Sequence, residues 1–332
     1  MVPGIVLVTG ANGVGKTNLL EAVHVGAQGF SPRTRGEPRL VRFGERAARV
    51  RLVGAEQGAP FETEVDLAPP QSKRIRLNGA LLGAGEELRL RLSTLVFTPD
   101  RLAVVKGAPL VRRSYLDRML GRLFPVRARL PADYGRALLQ RNAALRRVRT
   151  GESSPAVVEP WTEQVAALGD ELDRARARLV AAVGPGFRGH AEALGLDAAD
   201  ITYEEEGLAT AVLAARLERD LERGTTGAGP HLRDAAITAN GRDLRAFGSQ
   251  GQQRMAVLAL VLAEADLVAD RKGEPPLLLL DDVFSELDRE RGEALVARFP
   301  RGGQTLVTAT GRPTALTPDL VVSVTPGQAQ AE

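Results

Sequence analysis

The spacing of apolar positions changes character several times along the chain. Residues 4–9 (GIVLVT) form a short apolar run closed by Gly10, the pattern of a buried strand. From Lys16 to about Val25 the apolar positions recur at helical spacing. Between 39 and 97 the segments VRLVG, FETEVDL and KRIRLNG are short, rich in β-formers and separated by Gly, Pro or Gln. They predict a sheet meander, with LSTLVFT at 92–98 as a further strand. After Pro99 the pattern is helical over about 110–125, 131–150 and 159–183. Pro131 and Pro160 sit near helix starts, where proline is tolerated, and GPG at 184–186 is expected to stop the third helix. A further helix is predicted over 205–224, before the turn-rich GTTGAGP. From 232 strand and helix alternate again: AITAN, a turn at Asn240–Gly241, a helix over 252–271, LLLLD, a helix over 288–298, TLVTAT and LVVSVT. The order predicts an α/β fold whose two halves, 1–98 and 229–332, are separated by a helical insertion over 99–228.

Composition narrows this picture. Apolar residues make up 44% of the 332 positions but aromatics only 4%, so the core is built mainly from Ala, Leu and Val. There is no cysteine, which excludes disulfides, thiolate metal sites and cysteine nucleophiles. With histidine only at His24, His190 and His231, a dedicated histidine metal site is not expected. No leader-like segment and no run near the ~20 apolar residues of a membrane span is present. A soluble, cytoplasmic protein with no membrane partner is expected. Lysine occurs only at Lys16, Lys73, Lys106 and Lys272, so 40 of the 44 basic residues are arginine. Arginine binds phosphate in a bidentate fork. The same bias also follows from a GC-rich genome, and composition alone leaves both readings open.

The most specific motif is Gly10-Ala11-Asn12-Gly13-Val14-Gly15-Lys16-Thr17, followed by Asn18. It has the Walker A spacing, entered by a strand and left by a helix. Glycines let backbone N–H groups approach phosphate, Lys16 is placed for the β- and γ-phosphates, and the Thr17 hydroxyl for Mg²⁺. ATP is the expected ligand. The apolar run Leu277–Leu280 ends in Asp281-Asp282. Asp281 fits the metal-coordinating carboxylate and Asp282 the water-orienting one. Its side chain is shorter than glutamate, which predicts slow hydrolysis.

Two further segments, SQGQQR at 249–254 and SELD at 285–288, complete an ordered set that resembles the ABC/SMC-like P-loop NTPases. Within that superfamily the chain resembles the RecF family of recombination mediators over nearly its whole length. The residues that carry the likeness are GANGVGKTNLLEAV at 10–23, SPRT at 31–34, FTPDRLAVVKGAPLVRRSYLD at 97–117, QRNAAL at 140–145, GPHLRD at 229–234, FGSQGQQR at 247–254 and LLLLDDVFSELD at 277–288. The resemblance implies an ATP-dependent homodimer in which Ser249, Gly251 and Gln252 contact ATP held by the other copy, with 285–288 crossing the interface. It implies that Lys16, Asp281 and Asp282 form the catalytic set, with Thr17 and Asp281 serving Mg²⁺, and that Arg33 reaches the nucleotide. It further implies a slow, DNA-dependent ATPase of DNA damage repair, replication and the SOS response. Such a protein acts at gapped or single-strand/duplex DNA, with a RecR-type mediator, to help load recombinase. The chain departs from the family in two ways. RecF proteins carry another strand and an N-Y-R-N-type segment ahead of the P-loop strand, whereas Met1-Val2-Pro3 leads directly into it. An earlier start or a sheet lacking that strand is therefore expected. The switch position after TLVTA is Thr310, where transporter ATPases use histidine, again implying slow turnover.

Between 110 and 150 eleven arginines face only Asp117 and Asp133. A helical stretch this basic suits sequence-independent contact with the DNA backbone, and Arg112, Arg113, Arg141, Arg146 and Arg147 are the candidate contacts. A solvated helical face with acidic partners from 159–178 is the competing reading. This stretch has no aromatic platform, which favours duplex backbone over stacking. The alternatives to a RecF-like role are the energy module of a transporter and a regulatory clamp with negligible hydrolysis. His24 and Trp161 are expected to serve packing, and His231 to serve loop packing at least as readily as ligand contact.

Overall fold

A computed structural model describes residues 4–34, 36–56, 58–83 and 85–332. Met1-Val2-Pro3, on which the expectation about a preceding strand turns, lie outside the described residues. The chain divides into two units: residues up to Leu102 with Gly186–Asp197 and Gly248–Glu332, and Ala103–Pro185 with Ala198–Phe247. The first unit unites the two α/β halves. The sequence boundaries at 99 and 228 differ from this division. Residues 229–247 belong with the helical unit because the strand Ala235–Ala239 pairs with Ala199–Tyr203, a non-local partner invisible to local pattern.

In the first unit six strands form one sheet, in the order Gln328–Ala331, Leu320–Thr325, Gly4–Thr9, Gln304–Ala309, Leu277–Leu280, Thr94–Phe97. All neighbours are parallel except the terminal hairpin. Parallel strands covered on both faces read as continuous apolar runs, which is why LLLL and GIVLVT were visible in the sequence. The core between this sheet and the helix Lys16–Gln28 contains Val6, Val8, Leu20, Val96, Leu279, Leu306 and Val324. The meander forms a separate antiparallel sheet of Ala48–Glu56, Ala59–Leu67, Arg74–Leu77 and Ala80–Leu81. A short helix, Gly85–Arg91, interrupts the region read as sheet only.

The second unit is built on the helices Pro109–Leu123 and Leu130–Arg149 and the greater part of Glu159–Ala193. The last of these runs through Pro185 rather than stopping at 184–186. Leu172, Leu179, Val183, Phe187, Ala191 and Leu194 are all buried. Their helical spacing continues past the proline, so burial outweighs the lost hydrogen bond that proline imposes. The single helix expected over 205–224 is instead two, Thr210–Ala215 and Leu217–Arg223. Residues ahead of them are held as a loop because the Asp173 carboxylate accepts the N–H groups of Glu206 (3.1 Å) and Gly207 (3.0 Å).

Candidate nucleotide site

The carboxyl ends of the parallel strands carry the site, as expected for open α/β sheets. The strand Gly4–Thr9 releases the chain into the loop 10–15, and the helix begins at Lys16. Gly10 has φ +152°, and an added Cβ would collide with the Val324 carbonyl of the adjacent strand. Only glycine fits there. Gly15, the residue before the helix, has φ +112° and open space around it. No side chain caps this helix and no acidic residue stands in its first turn. Its first N–H groups and positive dipole end therefore face the loop unneutralised. Ala11, Asn12, Gly13 and Asn18 are exposed, while Val14 is half-buried and packs on the sheet core. The Lys16 side chain curls back under the loop, and its Nζ donates to the carbonyls of Gly10 (2.8 Å) and Ala11 (2.9 Å).

Asp281 meets the loop from the end of Leu277–Leu280. Its two carboxylate oxygens each lie 3.0 Å from the Thr17 hydroxyl. A second hydroxyl, that of Thr308, donates to Asp281 Oδ1 at 2.7 Å and accepts the Asp282 N–H at 2.9 Å. Asp282 adopts a left-handed conformation, φ +50°, a region that Asp tolerates better than most residues. Its half-buried carboxylate makes no hydrogen bond among the described residues. Thr308 and Asp282 thus fix the turn that follows the strand.

The segment 249–254 opens the helix Gln250–Lys272 with a reciprocal capping box. The Ser249 hydroxyl accepts from Gln252 N (3.2 Å), and the Gln252 side chain accepts from Ser249 N (3.0 Å). Ser249, Gly251 and Gln252 are exposed. Among the described residues no hydrogen bond joins them to residues 10–18. One turn further in, Arg254 is buried, donates to the Asp282 carbonyl at 2.7 Å, pairs with Glu286 and lies over the Phe97 ring. The signature helix is therefore tied to the turn after Asp281 within one copy of the chain. Ser285 donates to the Asp282 carbonyl (3.1 Å), and Asp288 caps the helix Arg289–Val296 by accepting from Arg291 N (2.8 Å).

Sequence reasoning missed Thr308 and Arg254. Thr308 lies inside a β-rich run and carries no motif. Arg254 stood in the signature, but its long-range partners have no local trace. Thr310, the residue read as the switch position, is exposed beyond the strand Gln304–Ala309. Arg33 pairs with Glu21 at 3.2 Å. His24 is buried, with Nδ1 2.9 Å from the Phe30 carbonyl and the two rings edge to face. Trp161 packs on the cluster of Ala144, Leu145 and Val158.

The arginine stretch requires a correction. Arg141 is completely buried and donates to Asp220 (2.8 Å), Thr226 (2.8 Å) and Thr162 (3.0 Å). Arg112 is also buried, forked onto Asp234 and bonded to the carbonyls of Val105 and Gly107. Arg113 donates to the Arg233 carbonyl at 2.9 Å, and burial lowers its pKa, with Arg176 adding to the effect. Buried charges must be paired, as Arg112 and Arg141 are, and together with the half-buried Arg113 they hold the segment 226–234 to the helices. Arg146 and Arg147 alone of the five candidates are exposed. In the same segment Tyr134 Oη lies 2.6 Å from His231 Nδ1, and His231 Nε2 lies 3.1 Å from the Thr226 carbonyl. A carbonyl only accepts, so Nε2 carries the hydrogen and Nδ1 accepts from the tyrosine. Burial depresses the His231 pKa, reinforced by Arg113 and Arg176.

Among the described residues no group of three or more metal-ligating side chains is found, and no helix is long and apolar enough to cross a membrane. The family model for the RecF/RecN/SMC N-terminal domain matches residues 1–331. The DNA replication and repair protein RecF of Heliobacterium modesticaldum is 36% identical over 323 residues, covering 93% of this chain and 87% of that protein. The RecF of Thermosynechococcus vestitus is 36% identical over 318 residues, covering 92% and 84%. A solved structure of the recombination mediator protein RecF-ATP in the RecFOR pathway superposes with a TM-score of 0.88 at 27% identity, covering 100% of this chain and 92% of that one. A Pyrococcus furiosus Smc head domain shares the fold, with a TM-score of 0.58 at 16% identity over 99% and 89% of the two chains. The strand-end site, the capped signature helix and these likenesses agree, and the chain belongs to the RecF family of DNA replication and repair proteins.

Proposed function

We propose that this chain is an ATP-dependent DNA-binding protein of replication, repair and recombination. Two copies close on ATP at gapped or single-strand/duplex DNA and, with a RecR-type mediator, help load recombinase. The observation that carries this is the meeting of Thr17 and Asp281 at 3.0 Å beside Lys16 and the uncapped helix N-terminus. That donor set fits ATP and Mg²⁺: backbone N–H groups and an ammonium for phosphates, and hard oxygens from a hydroxyl and a carboxylate for the cation. Likeness to the RecF-ATP structure supports the same ligand. Mg²⁺ would neutralise charge on the β- and γ-phosphates.

The chain's own residues supply the rest. Lys16 exchanges the carbonyls of Gly10 and Ala11 for phosphate oxygens. Asp281, already oriented by Thr308, and the Thr17 hydroxyl would hold the cation. Asp282 offers an unengaged carboxylate to an attacking water, and its short reach makes turnover slow. The first turn at Ser249–Gln252 is exposed and, among the described residues, makes no hydrogen bond to residues 10–18 of its own copy; it serves the phosphates of a second. Arg146 and Arg147 contribute phosphate-backbone contact.

Light scattering with a slowly hydrolysed ATP analogue tests the dimer, and a monomer at saturating nucleotide would refute it. Ser249→Arg is expected to keep nucleotide binding by the monomer and to lose both dimerisation and hydrolysis. Hydrolysis at the unmodified rate in that variant would show that the signature does not act across copies.

A further inference from the structure

The most exposed large apolar side chain described is Phe43, at 103% of its reference accessibility. It does not lie on a frayed segment. Arg42 to Glu45 form a tight turn closed by Glu45 N donating to the Arg42 carbonyl at 2.9 Å. Gly44 follows Phe43 with φ +89°, the conformation that a turn of this kind requires of its third residue. On both sides the loop is anchored. Leu40, Val41, Ala48 and Val50 pack on the buried cluster of Val25, Val65, Leu67, Ile75 and Leu88. The fold thus fixes an aromatic ring at the apex of a turn, fully in water.

The surroundings of this ring are cationic. Arg39, Arg42 and Arg46 are exposed, and among the described residues none of the three makes an ion pair or a side-chain hydrogen bond. The nearby Glu37 is neutralised by Lys73 at 2.8 Å, which leaves Glu45 as the opposing charge within the turn. On the strand that follows, by contrast, Arg49 pairs with Asp66 and Arg51 with Glu62. Unpaired arginines within four residues of an exposed aromatic ring fit a polyanion that also presents flat π-surfaces. That is the chemistry of a nucleic-acid single strand, whose phosphates meet arginine and whose bases stack on aromatics.

We infer that the turn Arg42–Glu45 is a single-strand contact, in which Phe43 stacks on an unpaired base while Arg39, Arg42 and Arg46 hold the flanking phosphates. The inference rests on the DNA-binding reading above and adds to it a second contact, on the nucleotide-binding unit, that distinguishes unpaired from paired DNA. Duplex DNA offers phosphates to the arginines but no free base face to the ring.

The test uses the full chain with a slowly hydrolysed ATP analogue. Anisotropy is measured on a blunt duplex and on the same duplex carrying a single-strand tail, with 2-aminopurine in the tail. Phe43→Ala is expected to weaken tailed-duplex binding about 5- to 100-fold, to abolish the 2-aminopurine stacking signal and to leave blunt-duplex binding unchanged. Phe43→Trp is expected to restore both affinity and signal. Unchanged binding to the tailed duplex by Phe43→Ala overturns the inference while leaving the DNA-binding reading intact. Equal losses on both DNAs overturn it as well, as does a loss of dimer by light scattering with no change in the 2-aminopurine signal, which would make Phe43 a protein contact. Failure of the unmodified chain to bind either DNA overturns the wider reading and this one with it.

Discussion

Two polar clusters in this molecule are made of similar groups and behave oppositely. At the strand ends Thr17 and Thr308 both hydrogen-bond to Asp281, while Lys16 leans on two backbone carbonyls; Thr17 is only half-buried and the loop tip at 11–13 is exposed. In the helical unit Asp220, Thr162 and Thr226 each bond to Arg141, and all four are buried with no half-exposed member. A phosphate or cation can replace a partner in the first cluster. Nothing can enter the second without unfolding the helices around it. Charge in a sequence therefore says little about ligand binding until its burial is known, and the arginine stretch shows this within a single helix.

The largest effect expected from this contrast is on stability. Arg141→Ala should destabilise the helical unit by about 3–5 kcal/mol in urea unfolding, because it strands a buried carboxylate. Replacing Arg141 and Asp220 together by Met and Leu should recover most of that loss. A mild effect of Arg141→Ala alone would mean that the cluster is not sealed. Asp281→Asn should do the reverse, lowering ATP turnover about 100-fold or more with little change in melting temperature. Next in size is the DNA contact. Arg146→Ala with Arg147→Ala should reduce the slope of log affinity against log salt by about 2, with native unfolding behaviour. A slope unchanged by the pair would remove these residues from the DNA surface.

The smallest effect concerns pH. The His231 pKa is depressed below its ordinary 6.5, so the unfolded chain takes up a proton that the folded chain refuses. Stability of the helical unit should then fall as pH drops through 6.5 toward the lower folded value. His231→Gln, which can still accept from Tyr134 and donate to the Thr226 carbonyl, should flatten that dependence. Equal acid sensitivity in both proteins would assign it to other groups.

What the sequence revealed follows the range of the interactions. The loop 10–17 was legible because its chemistry is set by adjacent residues. Asp281 was legible because a buried parallel strand ends in it. The helix opening at Ser249–Gln252 was legible because the signature SQGQQR and the apolar spacing after it are local. Thr308 was not, since its partners lie 26 and 27 residues away. Nor was the burial of Arg112, since polar spacing on a helix reads as a wet face until Asp234, 122 residues on, folds against it. The helix through Pro185 was missed because a local propensity was weighed against burial that only the packed core supplies.

Thr308 carries one last consequence. Its single hydroxyl is donor to one aspartate and acceptor for the backbone of the next, so the Asp281 carboxylate and the Asp282 main chain share a hinge pin. Serine in its place would keep both bonds, whereas valine would sever both at once. The acidic pair is therefore a trio with this threonine, and loss of the hydroxyl would show as two lesions from one change.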